Sequence, residues 1–224
     1  MESIAPNLKK YQGQLPGHCR LIAVSKTKPV EMIAEAYALG QRDFGENKVQ
    51  ELVDKQALLP NDIQWHMIGH LQRNKVKFIA PFVALIHAVD SGRLLSEINK
   101  QAIKNDRVID CLLQVHIAEE ESKFGWSAES LLEFVRGKEP DNYTHIRIRG
   151  LMGMATNTDD ELQVRKEFKR LKSLFDELKK MGDTDRVSMQ ELSMGMTSDF
   201  KIAVEEGSTM VRIGTAIFGD RVRK

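Results

Sequence analysis

Cysteine is scarce in this chain: Cys19 and Cys111 are the only two among 224 residues, far apart and outside any CxxC pair. That excludes a disulfide framework and a cysteine-based zinc site, and both read as reduced thiols of a cytoplasmic protein. Long apolar runs are missing as well. None approaches the roughly 18–20 residues that a membrane span needs, and the opening segment "MESIAPNLKKYQGQLPG" lacks the apolar core of a secretory signal. Neither sign of charge dominates: Lys and Arg number 33 against 32 Asp and Glu, a net charge of +1. Neither nucleic acid nor an acidic membrane is therefore expected as a partner. The basic end Arg221-Val222-Arg223-Lys224 is too short to alter this and reads as solvated. No linker, low-complexity segment or composition shift interrupts the chain, so residues 1–224 are expected to form one domain.

What the sequence does contain is alternation. Short runs rich in Val, Ile and Leu mark eight strand candidates: Leu21–Ser25, Arg42–Gly45, Trp65–Gly69, Leu85–Asp90, Val108–Ile117, Ile148–Ala155, Glu191–Met196 and Met210–Gly214. Between them lie helical patterns. Pro29-Val30 opens one that Gly40 stops, Asp90 or Ser91 caps "RLLSEINKQAIK", Ser127 caps "AESLLEFVR", and Ser198-Asp199 starts "FKIAVEEG". The longest helix is expected from Asp159 to Met181. Such alternation argues for an α/β fold with a parallel sheet. Eight units of roughly 28 residues suit a single-domain (β/α)8 TIM barrel, near the typical ~250-residue size. An open doubly wound sheet is the alternative.

A barrel places its active site at the C-terminal strand ends, and this gathers scattered residues. Lys26 follows the first strand, Glu46-Asn47 the second and Gly69-His70 the third; Ser193 to Ser198 end the seventh and Arg212 to Thr215 the eighth. Side-chain alternation puts Ile22, Val24 and Lys26 on one face. Lys26 then rises from the barrel interior at its mouth as solvated decoration, an anion clamp, or a desolvated amine able to attack a carbonyl. Lys28 lies nearer the rim. Gly214-Thr215 can bring backbone N–H groups close to an anion, and Ser198, as a helix N-cap, can add a hydroxyl. Arg212 shares the interior face with Gly214 and needs acceptors there; an ion pair with Glu46 or Glu191 would supply them. His66 and His70 are spaced i, i+4 but span a strand end, which is poor geometry for a shared metal. Met152, Met154, Met194 and Met196 read as gap fillers around the pocket. Lys123, in "EEESKFGW", is a rival amine in an exposed loop.

Six segments together resemble the pyridoxal-phosphate homeostasis protein family, whose barrel is similar to the N-terminal domain of alanine racemase. They are "AVSKTKP" (23–29), "FGENKVQEL" (44–52), "WHMIGHLQRNK" (65–75), "RGLMGMA" (149–155), "LSMGMTSDF" (192–200) and "GSTMVRIGTAIFG" (207–219). The resemblance implies a barrel that binds pyridoxal 5′-phosphate (PLP). Lys26 would form a reversible Schiff base with it, Arg212 would face the pyridine nitrogen, Gly214, Thr215 and Ser198 would hold the phosphate, and Asn47 would line the cofactor. Thr197 competes with Ser198 for the phosphate contact.

PLP is a strong electron sink when its ring nitrogen is protonated, whereas an arginine partner donates to that nitrogen and disfavours a proton there. Racemisation also needs a second acid or base opposite the lysine, a tyrosine in racemases. Tyr11, Tyr37 and Tyr143 fall in helices or loops away from the strand ends. The expectation is thus a cytoplasmic, monomeric PLP-homeostasis protein with little or no catalysis, passing the cofactor transiently to apo PLP enzymes. A PLP-dependent racemase-like enzyme and a Schiff-base aldolase on a phosphorylated sugar are the alternatives.

Overall fold

The computed structural model describes residues 3–119 and 124–219; Lys123 and the basic end lie outside the described residues. Eight strands, β1 (Arg20–Val24), β2 (Asp43–Glu46), β3 (Gln64–Met67), β4 (Leu85–Val89), β5 (Ile109–Gln114), β6 (Ile146–Met152), β7 (Val187–Ser193) and β8 (Met210–Ile213), run parallel in chain order. β8 returns to pair with β1, from Arg20↔Met210 to Ala23↔Ile213. That pairing closes the barrel and overturns the open-sheet alternative.

The two faces of each strand bury against different partners, as a period of two demands. Ile22, Leu85, Ala88, Leu112, Met152 and Met210 fill the barrel interior. The opposite faces, for example Leu21 and Ala23 of β1, pack beneath the helical layer. That layer comprises α1 (Ala5–Gln14), α2 (Val30–Ala38), α3 (Val49–Gln56), α4 (Val76–Ile79), α5 (Gly92–Lys104), α6 (Ala128–Arg136), α7 (Glu161–Lys180), α8 (Phe200–Glu205) and α9 (Thr215–Phe218). Three helices begin on side-chain caps: Ser91 accepts from Leu94 N, Ser127 from Ser130 N, and Asp160 from Leu162 and Gln163 N. Each cap stabilises its helix by about 1 kcal/mol. α7 buries Val164, Phe168, Leu171, Leu174, Phe175 and Leu178 along one stripe, each side chain worth about 1.5–3 kcal/mol.

Four details differ from the sequence expectations. α1 has few apolar residues and gave no periodic signal; it is tied down through buried Leu8 and through Tyr11, edge-on to Phe200 at 5.5 Å. β7 begins at Val187, because its pairing with β6 jumps from Ile148↔Val187 to Gly150↔Glu191 and the irregular, half-polar "VSMQ" masks the start. Gly150 permits this jump: its φ is +153°, and a Cβ there would lie 1.8 Å from the Glu191 carbonyl oxygen. β6 begins at Ile146, where Arg147 and Arg149 interrupt the apolar pattern. Finally, α8 starts one residue later than expected. Asp199, not Ser198, occupies its N-cap position, and its carboxylate accepts from Met196 N at 2.5 Å.

Candidate functional site

The C-terminal strand ends surround an open recess of about 390 Å³. Lys26, Asn47, Ser198, Arg212, Gly214 and Thr215 all line it, as do Lys28 and Thr197. Val24, Ile68, Met154 and Met196 supply the apolar wall. Lys26 is half-buried, while Thr197, Ser198 and Thr215 are exposed at the edge.

The backbone carrying Lys26 is anchored from behind. Ser25 Oγ donates to Glu46 Oε1 at 2.6 Å, and the buried Lys55 Nζ donates to Ser25 O (2.8 Å), Glu46 Oε1 (2.7 Å) and Glu51 Oε1 (2.6 Å). Thr27 N donates to Glu51 as well, and Thr27 itself holds a left-handed φ of 64°. With Ser25 and Thr27 both tied to the α3 side, Lys26 is directed into the recess. Burial pushes the Glu46 carboxyl above its usual range, against the pull of the Lys55 ammonium and the Ser25 hydroxyl. Glu46 is thus committed to the strand–helix interface and is no part of the recess, contrary to its expected position.

Arg212 forms the floor. Its guanidinium donates to Ser193 O at 2.9 Å, Ser193 Oγ at 2.6 Å and Gly153 O at 3.1 Å. The expected ion pair with Glu46 or Glu191 does not form: Glu46 pairs with Lys55, and Glu191 with Arg20 at the other end of the barrel. Burial lowers the Arg212 pKa to about 10, opposed by Asp199, so the group remains a cation at neutral pH. The site also depends on close backbone approach. A Cβ on Gly214 would lie 2.9 Å from Val24 O, and one on Gly69 2.5 Å from Asn47 O, so both strand ends pass at distances no side chain would allow.

Other residues gathered by the strand-end rule go elsewhere. His70 is exposed, 3.1 Å from Asp90 Oδ2 and stacked near Phe124. His66 points the other way, into the barrel, so the two do not converge. Met152 and Met194 belong to the packed interior and outer core rather than to the recess. Tyr37 bonds Asp62, Tyr143 lies near Gly92, and Tyr11 packs on Phe200, so these three sit outside the recess. A larger groove of about 820 Å³ between α6 and α7 is lined by Arg165, Lys166, Lys169 and Arg170. It lies outside the barrel and holds none of the strand-end residues. Sequence reasoning overlooked His87 and Asp43, which hydrogen-bond with His66 and Ser193 inside the barrel. The one signal was a histidine in phase with Leu85 in the otherwise apolar "LIHAV".

The architecture and the strand-end residues can be set beside known proteins. The family model for the alanine racemase N-terminal domain matches residues 1–222. The pyridoxal phosphate homeostasis protein of Aquifex aeolicus is 42% identical over 207 residues, 90% of this chain and 87% of that protein. Its counterpart in Escherichia coli is 38% identical over 235 residues, 99% of this chain and 98% of that one. Among solved structures, PipY of Synechococcus elongatus with PLP bound superposes with a TM-score of 0.87 at 37% identity, over 96% of this chain and 100% of that one. An alanine racemase from E. faecalis shares the fold, with a TM-score of 0.75 at 15% identity; 97% of this chain matches 58% of the racemase. On the family model and on relatives matched over nearly their whole length, this chain belongs to the pyridoxal phosphate homeostasis protein family.

Proposed function

We propose that this protein binds PLP in the strand-end recess and serves PLP homeostasis by holding and releasing it. One observation carries this reading: Lys26, Asn47, Ser198, Arg212, Gly214 and Thr215, brought from four strand ends, line a single opening. The opening has the few-hundred-Å³ size of a cofactor site. Its donors also fit: an amine, a buried cation, an amide, hydroxyls, and a glycine whose missing Cβ leaves backbone accessible.

When bound, PLP supplies an aldehyde that condenses reversibly with an amine, a ring nitrogen and a phosphate. Lys26 would provide the amine, half-buried where it lines the recess. Gly214, Thr215 and Ser198 would hold the phosphate through backbone N–H and hydroxyl groups; Thr197 stands equally exposed beside Ser198. Asn47 would line the ring. Arg212 would face the ring nitrogen, and a guanidinium carries only donors. It thus supplies a hydrogen bond without offering the carboxylate that secures a proton on that nitrogen in strong electron sinks. The site therefore favours holding the cofactor over carbanion chemistry. The rest of the reading is a cytoplasmic monomer, one domain over residues 1–224, that passes PLP to apo enzymes. The two buried free thiols support the cytoplasmic part, and the hydroxyl edge of the recess, open to water, supports the transfer.

The test is direct. Full-length protein incubated with PLP should turn yellow, and borohydride should fix one cofactor mass on the Lys26 peptide, absent in Lys26→Ala. A colourless protein that takes up no PLP would overturn the reading. Incubation with single-enantiomer amino acids and chiral analysis checks the racemase-like alternative; the present reading expects no measurable inversion.

A further inference from the structure

The barrel interior holds a line of polar groups that the recess does not by itself require. Arg212 Nη1 donates to Ser193 Oγ at 2.6 Å. Ser193 Oγ lies 2.9 Å from His87 Nδ1, His87 Nε2 lies 2.9 Å from His66 Nδ1, and His66 Nε2 lies 2.9 Å from Asp43 Oδ1. These residues come from β8, β7, β4, β3 and β2, so the line crosses the barrel from the recess floor to the opposite mouth. His87 and Ser193 are fully buried and His66 is 2% exposed, so an unmatched donor or acceptor anywhere along it would be costly.

Proton counting gives the line one direction. With both imidazoles neutral, counting starts at the Asp43 carboxylate, which only accepts, and runs back to Ser193, whose O–H then donates to His87 Nδ1 while its oxygen accepts from Arg212. His87 then carries its proton on Nε2 and gives it to His66 Nδ1. His66 in turn carries its proton on Nε2 and gives it to the Asp43 carboxylate, which only accepts. For two neutral rings, the acceptor-only end thus determines every link back to the donor-only end. Burial, with the Arg212 and Arg20 charges adding to it, holds His87 neutral by lowering its pKa well below the usual value. Burial works to raise the Asp43 carboxyl, but the His66 hydrogen bond and the Arg20 charge outweigh it and hold the group below its usual range, ionised. Because Arg212 has no lone pair to receive a proton, the line cannot deliver one to the recess. It holds its end in place and does not conduct.

We propose that Ser193, His87, His66 and Asp43 are positioning residues: a one-way hydrogen-bond chain that locks the Arg212 guanidinium as a fixed donor at the recess floor. Its consequence for the cofactor rests on the reading of the recess as a PLP site; the chain itself does not. A merely structural polar core would stabilise the barrel without fixing histidine tautomers or the arginine's mobility.

Nitrogen-15 spectra of cofactor-free, full-length protein test the chain first. His66 and His87 should both be neutral with Nε2 protonated at pH 7, and the Arg212 side-chain signals should be sharp and slow to exchange. Ser193→Ala should broaden the Arg212 signals, shift the absorption band of bound PLP and weaken PLP binding about tenfold, the loss expected for one hydrogen bond to a charged group. Ser193→Thr, which keeps the hydroxyl, should restore all three. A charged His66 or His87 at pH 7, or either ring protonated on Nδ1 alone, would overturn the chain. So would a folded Ser193→Ala protein with unchanged Arg212 signals and PLP band. Wild-type protein that takes up no PLP breaks only the functional reading, since the cofactor-free spectra decide the chain on their own.

Discussion

The two mouths of this barrel treat charge in opposite ways. At the N-terminal mouth Arg20 and Arg149 stand among Asp43, Asp110 and Glu191. Arg20 reaches Glu191 at 2.8 Å and Asp43 at 3.5 Å, and Arg147 reaches Asp110 at 2.7 Å. At the C-terminal mouth the described lining includes Lys26, Lys28 and Arg212 but no carboxylate. Of the acidic groups near it, Glu46 is committed to the α3 interface and Asp199 accepts from Met196 N in the loop before α8. The N-terminal mouth pairs its charges across strands, while the C-terminal mouth sets cations around a glycine-lined opening, the arrangement that the PLP reading needs for an anionic cofactor. The same fold supports both because strand alternation only decides which residues face inward; the local partners decide whether a charge is spent internally.

The strongest way to break this contrast is to remove the anchor behind the cationic mouth. Lys55→Met keeps the side-chain length but leaves the fully buried Glu46 and the Ser25 carbonyl without their cation. Removing one partner of a buried pair costs about 3 kcal/mol or more, read as a lower urea midpoint. Adding Glu46→Gln should recover part of that loss, because the stranded charge goes too. A change below ~1 kcal/mol would mean that the Ser25–Thr27 segment is held by something else. Gly214→Ala comes next. Its Cβ would meet Val24 O at 2.9 Å and Val24 Cβ at 3.1 Å, and overpacking of this kind costs about 1–3 kcal/mol. The loss should appear both in the urea midpoint and in PLP uptake. An alanine that binds PLP as tightly as wild type would show that the close passage of β8 past β1 is not what shapes the recess.

The contrast was only partly legible in the sequence. Short β-branched runs located all eight strands, since a strand buried on both faces needs apolar residues throughout, and the strand-end rule then put Lys26, Asn47, Arg212 and Gly214 in one place. Ser198 lines the recess but is not the α8 cap; on propensity alone, serine and the adjacent Asp199 are equally good caps. The Arg212 ion pair failed for a deeper reason. Acceptors on Ser193 and Gly153 belong to other strands, and register across a closed sheet is not encoded in any one segment. His66 and His87 sit 21 residues apart in sequence and 2.9 Å apart in space; only barrel closure brings them together.

A smaller effect tests the interior between the two mouths. His87 is held neutral, facing His66, Ser193, Arg212 and the more distant Arg20. Its folded pKa lies below the unfolded value, so the unfolded chain takes up a proton first as pH falls. This contribution to stability is fully present above about pH 6.5 and is lost below it. The melting temperature should fall on the order of 4 °C from about pH 7 to about pH 5.5. His87→Gln should flatten that slope. An unchanged slope would mean that other groups carry the acid sensitivity.

The smallest expected effect sharpens the comparison most, because it sets two arginines of neighbouring strands against each other. Arg20 and Arg212 both lie on barrel strands, but the Arg20 side chain is 46% exposed and its partners 21% exposed. Such a pair is screened by water, and Arg20→Ala should cost no more than about 1 kcal/mol, with less cost in high salt. PLP binding should stay at the wild-type level, since the Arg20 side chain bonds Glu191, Asp43 and the Met210 sulfur at the distal mouth and does not line the recess. Arg212→Lys keeps the charge at the buried position, yet it should weaken binding far more. A lysine point charge cannot span Ser193 O, Ser193 Oγ and Gly153 O from one fixed plane. If Arg20→Ala lowered PLP affinity as much as Arg212→Lys does, the two mouths would not be independent. The charge pairing at the bottom would then have to be counted as part of the site.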